Sequence, residues 1–527
     1  MPKFTLDGQE LEVAPGTTIL QAALSRGREI PHFCYHAGLS IAGNCRICLV
    51  EVEKAPKLVI GCMFQVADGM VVRTESPKVL AARRAVMEFL LINHPLDCPI
   101  CDQAGECKLQ DHAVEHGPGT SRYTEPKLAL AKAVDIGRHV MLDQERCIQC
   151  SRCTRFCEEI THTNELAFFE RGERTMIGIY PDRRLDNAYS GNVVDICPVG
   201  ALTLKEFRFR TRVWYLKNTP SICAGCARGC NVMVATGTQR DDMTTLGQQD
   251  ERVKRMTPRV NTEVNGHWMC DEGRLSWQRL DAAPRLAAAA APFGQPVDYE
   301  EAVRRAAALL TAAAGTGRLG LVVSPRLSAE TLFAWRRVIE RAGRAQIALH
   351  RVERGADDAL LIRRDKGSNT RGAEWILRDR ITTTPHGDAD VLIVLGDTLD
   401  PADTPPLGKD LRARVIYVGP FEDQAARHAE VVIPAAAWSE EDGTLVNFEG
   451  RIQRARRVHA PRGERRPGWR VAVDLALAAG LDVPAWASAG EVLAALAATV
   501  PEFQGVDEQR IGLLGVRGAD AAAVGAS

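Results

Sequence analysis

The chain opens on alternating apolar and polar positions. Residues 3–13 read Lys-Phe-Thr-Leu-Asp-Gly-Gln-Glu-Leu-Glu-Val. Apolar side chains recur at every second place on either side of Asp7-Gly8, the two-residue signal of a tight hairpin. Thr18-Ile19-Leu20-Gln21 has the spacing of a capping box and predicts a short helix, which Gly27 stops. Hairpin, helix and a cysteine-rich loop together predict a small β-grasp domain. Further on, Val79, Ala82, Val86 and Leu90 recur at helical spacing. They predict an amphipathic helix over 78–93 that ends at Asn93-His94-Pro95. Beyond about residue 280 the pattern changes. Solid apolar runs at Leu319–Val323, Val391–Leu395, Val415–Val418 and Val431–Ile433 read as buried strands, with helical stretches such as Glu300–Ala314 between them. That alternation predicts an α/β layer with a mainly parallel sheet. The small-residue tail Gly518–Ser527 reads as disordered.

The 527 residues suffice for two to four ordinary domains. With 66 Lys plus Arg against 67 Asp plus Glu, the formal net charge is −1, so no global field draws the chain to nucleic acid or an anionic membrane. No apolar stretch approaches the length of a membrane span. The start Met1-Pro2-Lys3-Phe4 lacks the charged-then-apolar pattern of a secretory leader. A reducing compartment is therefore expected, where structural disulfides are disfavoured.

That expectation gives the cysteines their meaning. All 16 lie between Cys34 and Cys270, in tight groups. A single Cys is ordinarily a small buried hydrophobe, but groups at two- and three-residue gaps point to metal or cluster ligation. The first set is Cys34, Cys45, Cys48 and Cys62, spaced C-x10-C-x2-C-x13-C. Three ligands on a loop with Gly43 and Asn44, and a fourth on a later strand, suit a [2Fe–2S] cluster; zinc would favour two separate C-x2-C knuckles, and only one is present. The second set is Cys98, Cys101 and Cys107, with His94 upstream. Three thiolates leave a four-iron cube one ligand short. His94 either supplies it or caps the end of the preceding helix. The third set is Cys147, Cys150 and Cys153, with Cys157 and Cys197 as candidate fourth ligands. In two-cluster ferredoxins the Cys before Pro serves the other cluster. Here Glu158 follows Cys157, and the Cys-Pro pair is Cys197-Pro198. Cys197 is therefore assigned and Cys157 reads as a packed thiol. The fourth set is Cys223, Cys226, Cys230 and Cys270, spaced C-x2-C-x3-C-x39-C, and it closes another [4Fe–4S] cube. Four sets need sixteen ligands, and His94 with every cysteine but Cys157 supplies them. So many sites in so short a span predict an electron relay rather than separate active sites.

Several other signals are weaker. Gly315-Thr316-Gly317-Arg318-Leu319-Gly320 spells GxGxxG. A dinucleotide fingerprint must follow a strand and open a helix; here a helix precedes and a strand follows, so it reads as a linker. The arginine-rich stretches Arg208–Arg212 and Arg451–Arg466 read as solvated charged faces rather than partner contacts. His112, His162 and His267 lie near the cysteine groups and are left unassigned.

The run His94–Cys107, the Cys147–Cys153 run with Cys197, and the N-terminal set resemble the large iron–sulfur subunit of NADH-quinone oxidoreductase, respiratory complex I. The resemblance spans essentially the whole chain and implies that His94 ligates. The fourth set looks like the iron–sulfur domain heading the molybdopterin oxidoreductases, retained only by some bacterial members. Asp365–Ala373, Ala429–Pro434, Glu441–Thr444 and Asn447–Arg451 are similar to the corresponding family segments. The implied fold is an α+β multidomain chain. A ferredoxin-like [2Fe–2S] β-grasp domain covers 1–78, a mixed His/Cys [4Fe–4S] domain 79–122 and a ferredoxin-like [4Fe–4S] domain 123–215. A [4Fe–4S] domain of the molybdopterin-enzyme type covers 216–274, and a shortened α/β molybdopterin-oxidoreductase-like domain 275–527. Because the last domain is short and no Cys follows Cys270, no molybdopterin is expected. The implied cofactors are one [2Fe–2S] and three [4Fe–4S] clusters. The implied partners are an NADH/FMN-binding subunit, a two-cluster ferredoxin-like subunit and other peripheral-arm subunits, at the cytoplasmic side of a bacterial inner membrane. No residue of the chain is expected to perform hydride chemistry, and no NAD is expected to bind it. Alternatives are a molybdopterin-dependent formate dehydrogenase-like catalytic subunit, the diaphorase-side subunit of an NAD-linked hydrogenase, and a zinc-stabilised scaffold.

Overall fold

The computed structural model describes residues 1–238, 251–316, 318–343, 345–378, 381, 389–407 and 411–518. It divides into two compact units, Met1–Leu216 and Lys217–Ser527.

In the first unit, β1 (Lys3–Leu6) and β2 (Gln9–Glu12) pair antiparallel. The turn is tight because Asp7 and Gly8 both take positive φ, 48° and 83°. Helix α1 (Ile19–Ser25) opens with the expected reciprocal cap: the Gln21 N–H donates to the Thr18 hydroxyl at 3.3 Å, and the Thr18 N–H donates to Gln21 Oε1 at 3.0 Å. Strands β3 (Leu49–Val52), β4 (Val59–Ile60) and β5 (Val71–Arg73) complete a five-stranded sheet, order β2-β1-β5-β3-β4, with β1 and β5 parallel. Its core buries Phe4, Leu6, Ile19, Leu20, Val50 and Val72, each contributing about 1.5–3 kcal/mol by removal from water. Cys48 and Cys62 belong to that same core. Cys62 sits in the turn just past β4, not on a strand as expected.

Helix α2 (Pro77–Leu91) begins at Ser76, whose hydroxyl accepts from the Val79 N–H. Its most buried line is Val79, Arg83 and Met87; Ala82, Val86 and Leu90, the expected face, lie half-buried beside it. The difference arises because Arg83 threads its chain into the interior and donates to the Leu49 carbonyl at 3.5 Å, which a hydropathy pattern scores as polar. Helix α3 (Lys108–His116) follows, then β6 (Val134–Asp135), β7 (Val140–Leu142), α4 (Arg152–Glu159), the hairpin β8 (Leu166–Phe169) and β9 (Met176–Ile179), α5 (Asn192–Asp195) and β10 (Leu202–Leu204). Strands β10, β7 and β6 form one antiparallel sheet.

The second unit opens with an antiparallel meander, β11 (Lys217–Ile222), β12 (Asn231–Thr238) and β13 (Glu251–Pro258), and then α6 (Asp271–Leu275) and α7 (Gln278–Ala282). A mixed sheet follows. Its elements in chain order are β14 (Ala289–Ala290), β15 (Pro296–Val297), α8 (Tyr299–Thr316), β16 (Leu319–Val323), α9 (Ala329–Ala342), β17 (Ala345–Leu349), α10 (Thr370–Leu377), β18 (Val391–Leu395), β19 (Arg414–Gly419), α11 (Gln424–His428) and β20 (Val431–Pro434). The strand order is β15-β14-β20-β19-β18-β16-β17, parallel from β20 to β17. The four expected strands and the helix from about residue 300 are therefore present. A second antiparallel sheet contains β21 (Gly443–Val446), β22 (Arg451–Ala455) and, after α12 (Gly468–Ala478), α13 (Ala489–Thr499) and α14 (Glu508–Ile511), the short β23 (Val516–Arg517).

Helix α8 precedes the GxGxxG stretch and β16 follows it, the reverse of a dinucleotide turn; Gly317 itself, like residues 519–527 of the expected tail, lies outside the described residues. The stretch Arg451–Arg466 corrects the expectation of a solvated face. Arg451 and Arg465 are buried, and Arg465 pairs with the buried Glu440 at 2.6 Å. Arg451 donates to the Gly515 carbonyl at 3.0 Å. Carboxylates and carbonyls placed from distant parts of the chain satisfy these guanidiniums, and no local pattern shows that.

Candidate metal centres

In the first ligand set, Cys34, Cys48 and Cys62 are buried and Cys45 half-buried. The loop curls through left-handed residues Gly43 and Arg46 (φ 60° and 62°) so that the Cys34 N–H donates to Cys45 Sγ at 3.4 Å. A side chain at position 43 would place its Cβ 2.1 Å from the Met63 sulfur and strain a left-handed backbone, which favours glycine in that curl. Cys34 is within hydrogen-bonding reach of Cys45 and Cys62, and Cys48 of Cys62. Hydrogen bonding between thiols pushes Cys34 and Cys48 down, with Cys45 and Cys62 the respective main partners, and pushes Cys45 and Cys62 up. Thiols that share protons in this way cannot all ionise without positive charge near them.

In the second set, Cys98 opens a 3₁₀ turn over Cys98–Ile100 and is exposed, whereas Cys101 and Cys107 are buried. Burial raises the Cys101 and Cys107 thiols, while N–H groups of Gln103, and of Gln110 and Leu109, point at their sulfurs. His94 is half-buried, with its Nδ1 enclosed and without a hydrogen-bond partner, and desolvation depresses it to about 4, so its ring is neutral at pH 7. His94 and Cys101 share Arg146 as a charged neighbour. Arg146 pairs with Asp97 at 3.0 Å and Asp143 at 3.4 Å.

In the third set, Gln149 and Ser151 take φ of 53° and 62° and wind Cys147, Cys150 and Cys153 around one point at the start of α4. Burial raises Cys147 to about 12 and Cys150 to about 11, and Cys197 acts on both and on Cys153 as a neighbouring charge. Cys157 acts on Cys153 as well, but not on Cys147 or Cys150. Burial raises Cys157 to about 12, Glu165 adds to that, and N–H groups of Leu166 and Glu165 point at its sulfur.

The third set also shapes the first two. Arg155, two residues past Cys153, donates to the Cys34 carbonyl at 2.5 Å and also to the Ser40 carbonyl. Arg152 donates to the Tyr35 and Ile196 carbonyls at 2.5 and 3.0 Å. Gly200, three residues past Cys197, lies so close to Cys101 that a Cβ there would be 2.3 Å from its sulfur. Cys34, Cys107 and Cys150 lie in one apolar cluster with Phe33, Ile47, Met87, Leu109, Val199 and Ala201, and Cys45, Cys147 and Cys197 pack against it.

The fourth set lies in the second unit. Cys223, Cys230 and Cys270 are buried and Cys226 half-buried. All four line one small pocket, together with Gly225, Gly273, Glu272 and Lys366. The Gly225 and Gly273 N–H groups donate to Cys223 and Cys270 sulfurs at 3.4 and 3.3 Å. A Cβ on Gly273 would stand 3.0 Å from Cys223 Sγ, so the glycines make a cradle that side chains would fill. Burial raises Cys223 to about 12 and lifts the other three as well. Lys366 is buried and pairs with Glu272 at 2.7 Å. Arg326 donates to the Ala224 carbonyl at 3.1 Å and is held between Asp397 and Asp403 at 2.9 and 2.7 Å. Spacing gave no hint of Lys366 or Arg326, because each reaches its set from far along the chain.

The donor chemistry fits iron–sulfide clusters: grouped buried thiols, N–H groups directed at sulfur, and an apolar surround. The fold and these sites define a protein assembled from iron–sulfur-binding domains, and known families match it in that order. A 2Fe-2S iron-sulfur cluster binding domain matches residues 2–77, and an NADH-ubiquinone oxidoreductase-G iron-sulfur binding region matches 83–122. The ferredoxin-like domain of NADH-quinone oxidoreductase subunit 3 matches 137–203. A molybdopterin oxidoreductase Fe4S4 domain matches 216–282, and molybdopterin oxidoreductase matches 376–478.

Among individual proteins, the chain is 47% identical over 286 residues to the G subunit of NADH-quinone oxidoreductase from Rickettsia bellii, covering 53% of this chain and 40% of that one. It is 44% identical over 275 residues to the mitochondrial NADH dehydrogenase [ubiquinone] iron-sulfur protein 1 of Solanum tuberosum, covering 52% of this chain and 36% of that one. The resemblance to the large iron–sulfur subunit is thereby borne out, and the matched region spans about two fifths of those relatives' length. Among solved structures, a chain of an NAD+-reducing [NiFe]-hydrogenase in its H2-reduced state aligns with 31% identity and a TM-score of 0.37, over 40% of this chain and 91% of that one.

Proposed function

We propose that this chain is the electron-relay iron–sulfur subunit of an NADH:quinone oxidoreductase. In this reading Cys34, Cys45, Cys48 and Cys62 hold a [2Fe–2S] cluster. His94, Cys98, Cys101 and Cys107 hold one [4Fe–4S] cluster, Cys147, Cys150, Cys153 and Cys197 a second, and Cys223, Cys226, Cys230 and Cys270 a third. Four modules, 1–78, 79–122, 123–215 and 216–274, carry them, and a fifth, 275–527, carries none. The observation that carries the reading is the single apolar cluster that takes in cysteines of the first three sets. Separate structural metal sites have no need of a common dry core, whereas electron transfer between centres needs them close and shielded from water.

When bound, the clusters supply one-electron redox chemistry. The chain's own residues set the conditions. N–H groups stabilise negative sulfur, the buried Arg146 and Arg155 and the half-buried Arg152 offset thiolate charge, and the neutral His94 imidazole makes its cluster less negative than four thiolates would. Among the described residues no helix is long and apolar enough to cross a membrane. Attachment at the cytoplasmic side of a bacterial inner membrane then runs through partners: an NADH/FMN subunit on the donor side, and a two-cluster ferredoxin-like subunit toward quinone, with proton translocation in the assembled complex. No pterin belongs to this reading, since no cysteine follows Cys270 to ligate molybdenum.

Anaerobic purification followed by iron and acid-labile sulfide analysis and electron paramagnetic resonance tests it. About 14 iron atoms per chain are expected for one two-iron and three four-iron clusters. Colourless folded protein, stoichiometric molybdenum, or zinc in place of iron would each overturn it.

A further inference from the structure

Helix α3 carries donors that belong to none of the sixteen ligand positions. His112, Glu115 and His116 stand at i, i+3 and i+4, which a helix brings to one face. A Glu115 carboxylate oxygen lies 3.8 Å from His112 Nδ1 and 3.6 Å from His116 Nε2. The three donor atoms all lie within 4.8 Å of one another. Donors about 2.1 Å from a tetrahedral zinc-class ion stand roughly 3.4 Å apart, so small side-chain rotations close the set.

A second observation points the same way. The His112 side chain is only 3% exposed, yet its Nδ1 has no hydrogen-bond partner. Folded proteins rarely leave a buried polar nitrogen unpaired, because its desolvation is then uncompensated. The Phe33 ring meets this imidazole edge-on at 5.3 Å and the His116 ring lies 5.9 Å away. Glu29 and Glu75 add negative potential, against Arg83 and Lys108. Burial lowers both histidines, so each presents a neutral ring with a free lone pair at pH 7, as ligation requires.

We propose that His112, Glu115 and His116 form a binding site for a zinc-class divalent cation, with water in the open fourth position. Two imidazoles and a carboxylate are a borderline donor set that suits such a metal and not calcium or magnesium. The solvent-facing Glu115, 61% exposed, leaves a path of entry. The site is independent of the relay and stands or falls without it.

The test uses intact, anaerobically purified protein with its iron in place. It is equilibrated with micromolar zinc, desalted, and analysed for zinc and iron by mass spectrometry and for zinc coordination by X-ray absorption. One zinc per chain with iron unchanged is expected, and a zinc edge fitted by nitrogen and oxygen at about 2.0–2.2 Å. Glu115→Gln and His116→Gln, both at positions with solvent access, should each weaken retention at least tenfold. Zinc that displaces iron, zinc bound by sulfur at about 2.3 Å, or retention unaffected by either substitution would overturn the proposal.

Discussion

Gly200→Ala separates a ligating Cys101 from a free one. Gly200 has no left-handed φ, so alanine suits its backbone. The added methyl would stand 2.3 Å from Cys101 Sγ, 3.2 Å from Gln103 Cβ and 3.7 Å from Arg146 Cδ. Ordinary contact begins near 3.4 Å, so the sulfur must retreat by about 1.1 Å. A free thiol does that by turning χ1, at a cost of about 0.5–1.5 kcal/mol. A sulfur bonded to iron cannot, because its bond length leaves no such play, and overpacking then costs about 1–3 kcal/mol or the bond is lost. The expected outcome is a protein with about four fewer iron atoms, lacking one four-iron resonance and retaining the two-iron signal. Iron counting, electron paramagnetic resonance and a thermal melt read the three quantities. A variant with its full iron content and all resonances unaltered would refute the placement of Cys101 as a ligand.

Cys270→Ser should remove one four-iron signal and spare the rest, whereas Cys157→Ser should leave every signal in place; the paired spectra of the two variants check both. Burial raises the Glu441 carboxyl to about 8, with hydrogen bonding from Gly468 opposing and Glu330 adding to the rise. The folded state therefore holds this proton more tightly than the unfolded one. Its stabilising effect is complete below about pH 4.5 and is lost as pH climbs to about 8, by at most roughly 5 kcal/mol. Glu441→Gln should flatten that fall, seen as a smaller drop in melting temperature between pH 5 and pH 8.5 than in the wild type. Arg326→Met should destabilise by about 3–5 kcal/mol, because Asp397 and Asp403 are then left buried with less countercharge; a denaturant midpoint unchanged from wild type would contradict it.

Much of this architecture is written locally. The Asp7-Gly8 turn, the Thr18–Gln21 cap and the four apolar strands from Leu319 onward depend on neighbours two to four positions away, and each is present where the pattern puts it. The cysteine groups are legible for the same reason, since one loop supplies three members at a time. What escaped is long-range. Strand β17, Ala-Gln-Ile-Ala-Leu, is too mixed to signal itself and owes its place to pairing with β16. Arg83, Arg451 and Arg465 look like surface and lie inside, because carbonyls and carboxylates far along the chain receive them. Gly200, Lys366 and Arg326 bear on the sulfurs through tertiary folding alone. His112, near the second cysteine group, had no evident role until α3 set it beside Glu115 and His116.

The core shared by Cys34, Cys107 and Cys150 has a bearing on biogenesis. Phe33, Ile47, Met87 and Val199 can close over it once only. If those thiols hold clusters as proposed, inorganic iron and sulfide must reach them while the unit is still open, so insertion and collapse become one event. A chain that collapsed first would seal protonated sulfhydryls inside and would have to unfold to accept its cargo. Starving cells of iron should accordingly yield degraded protein, not a pool of waiting apoprotein.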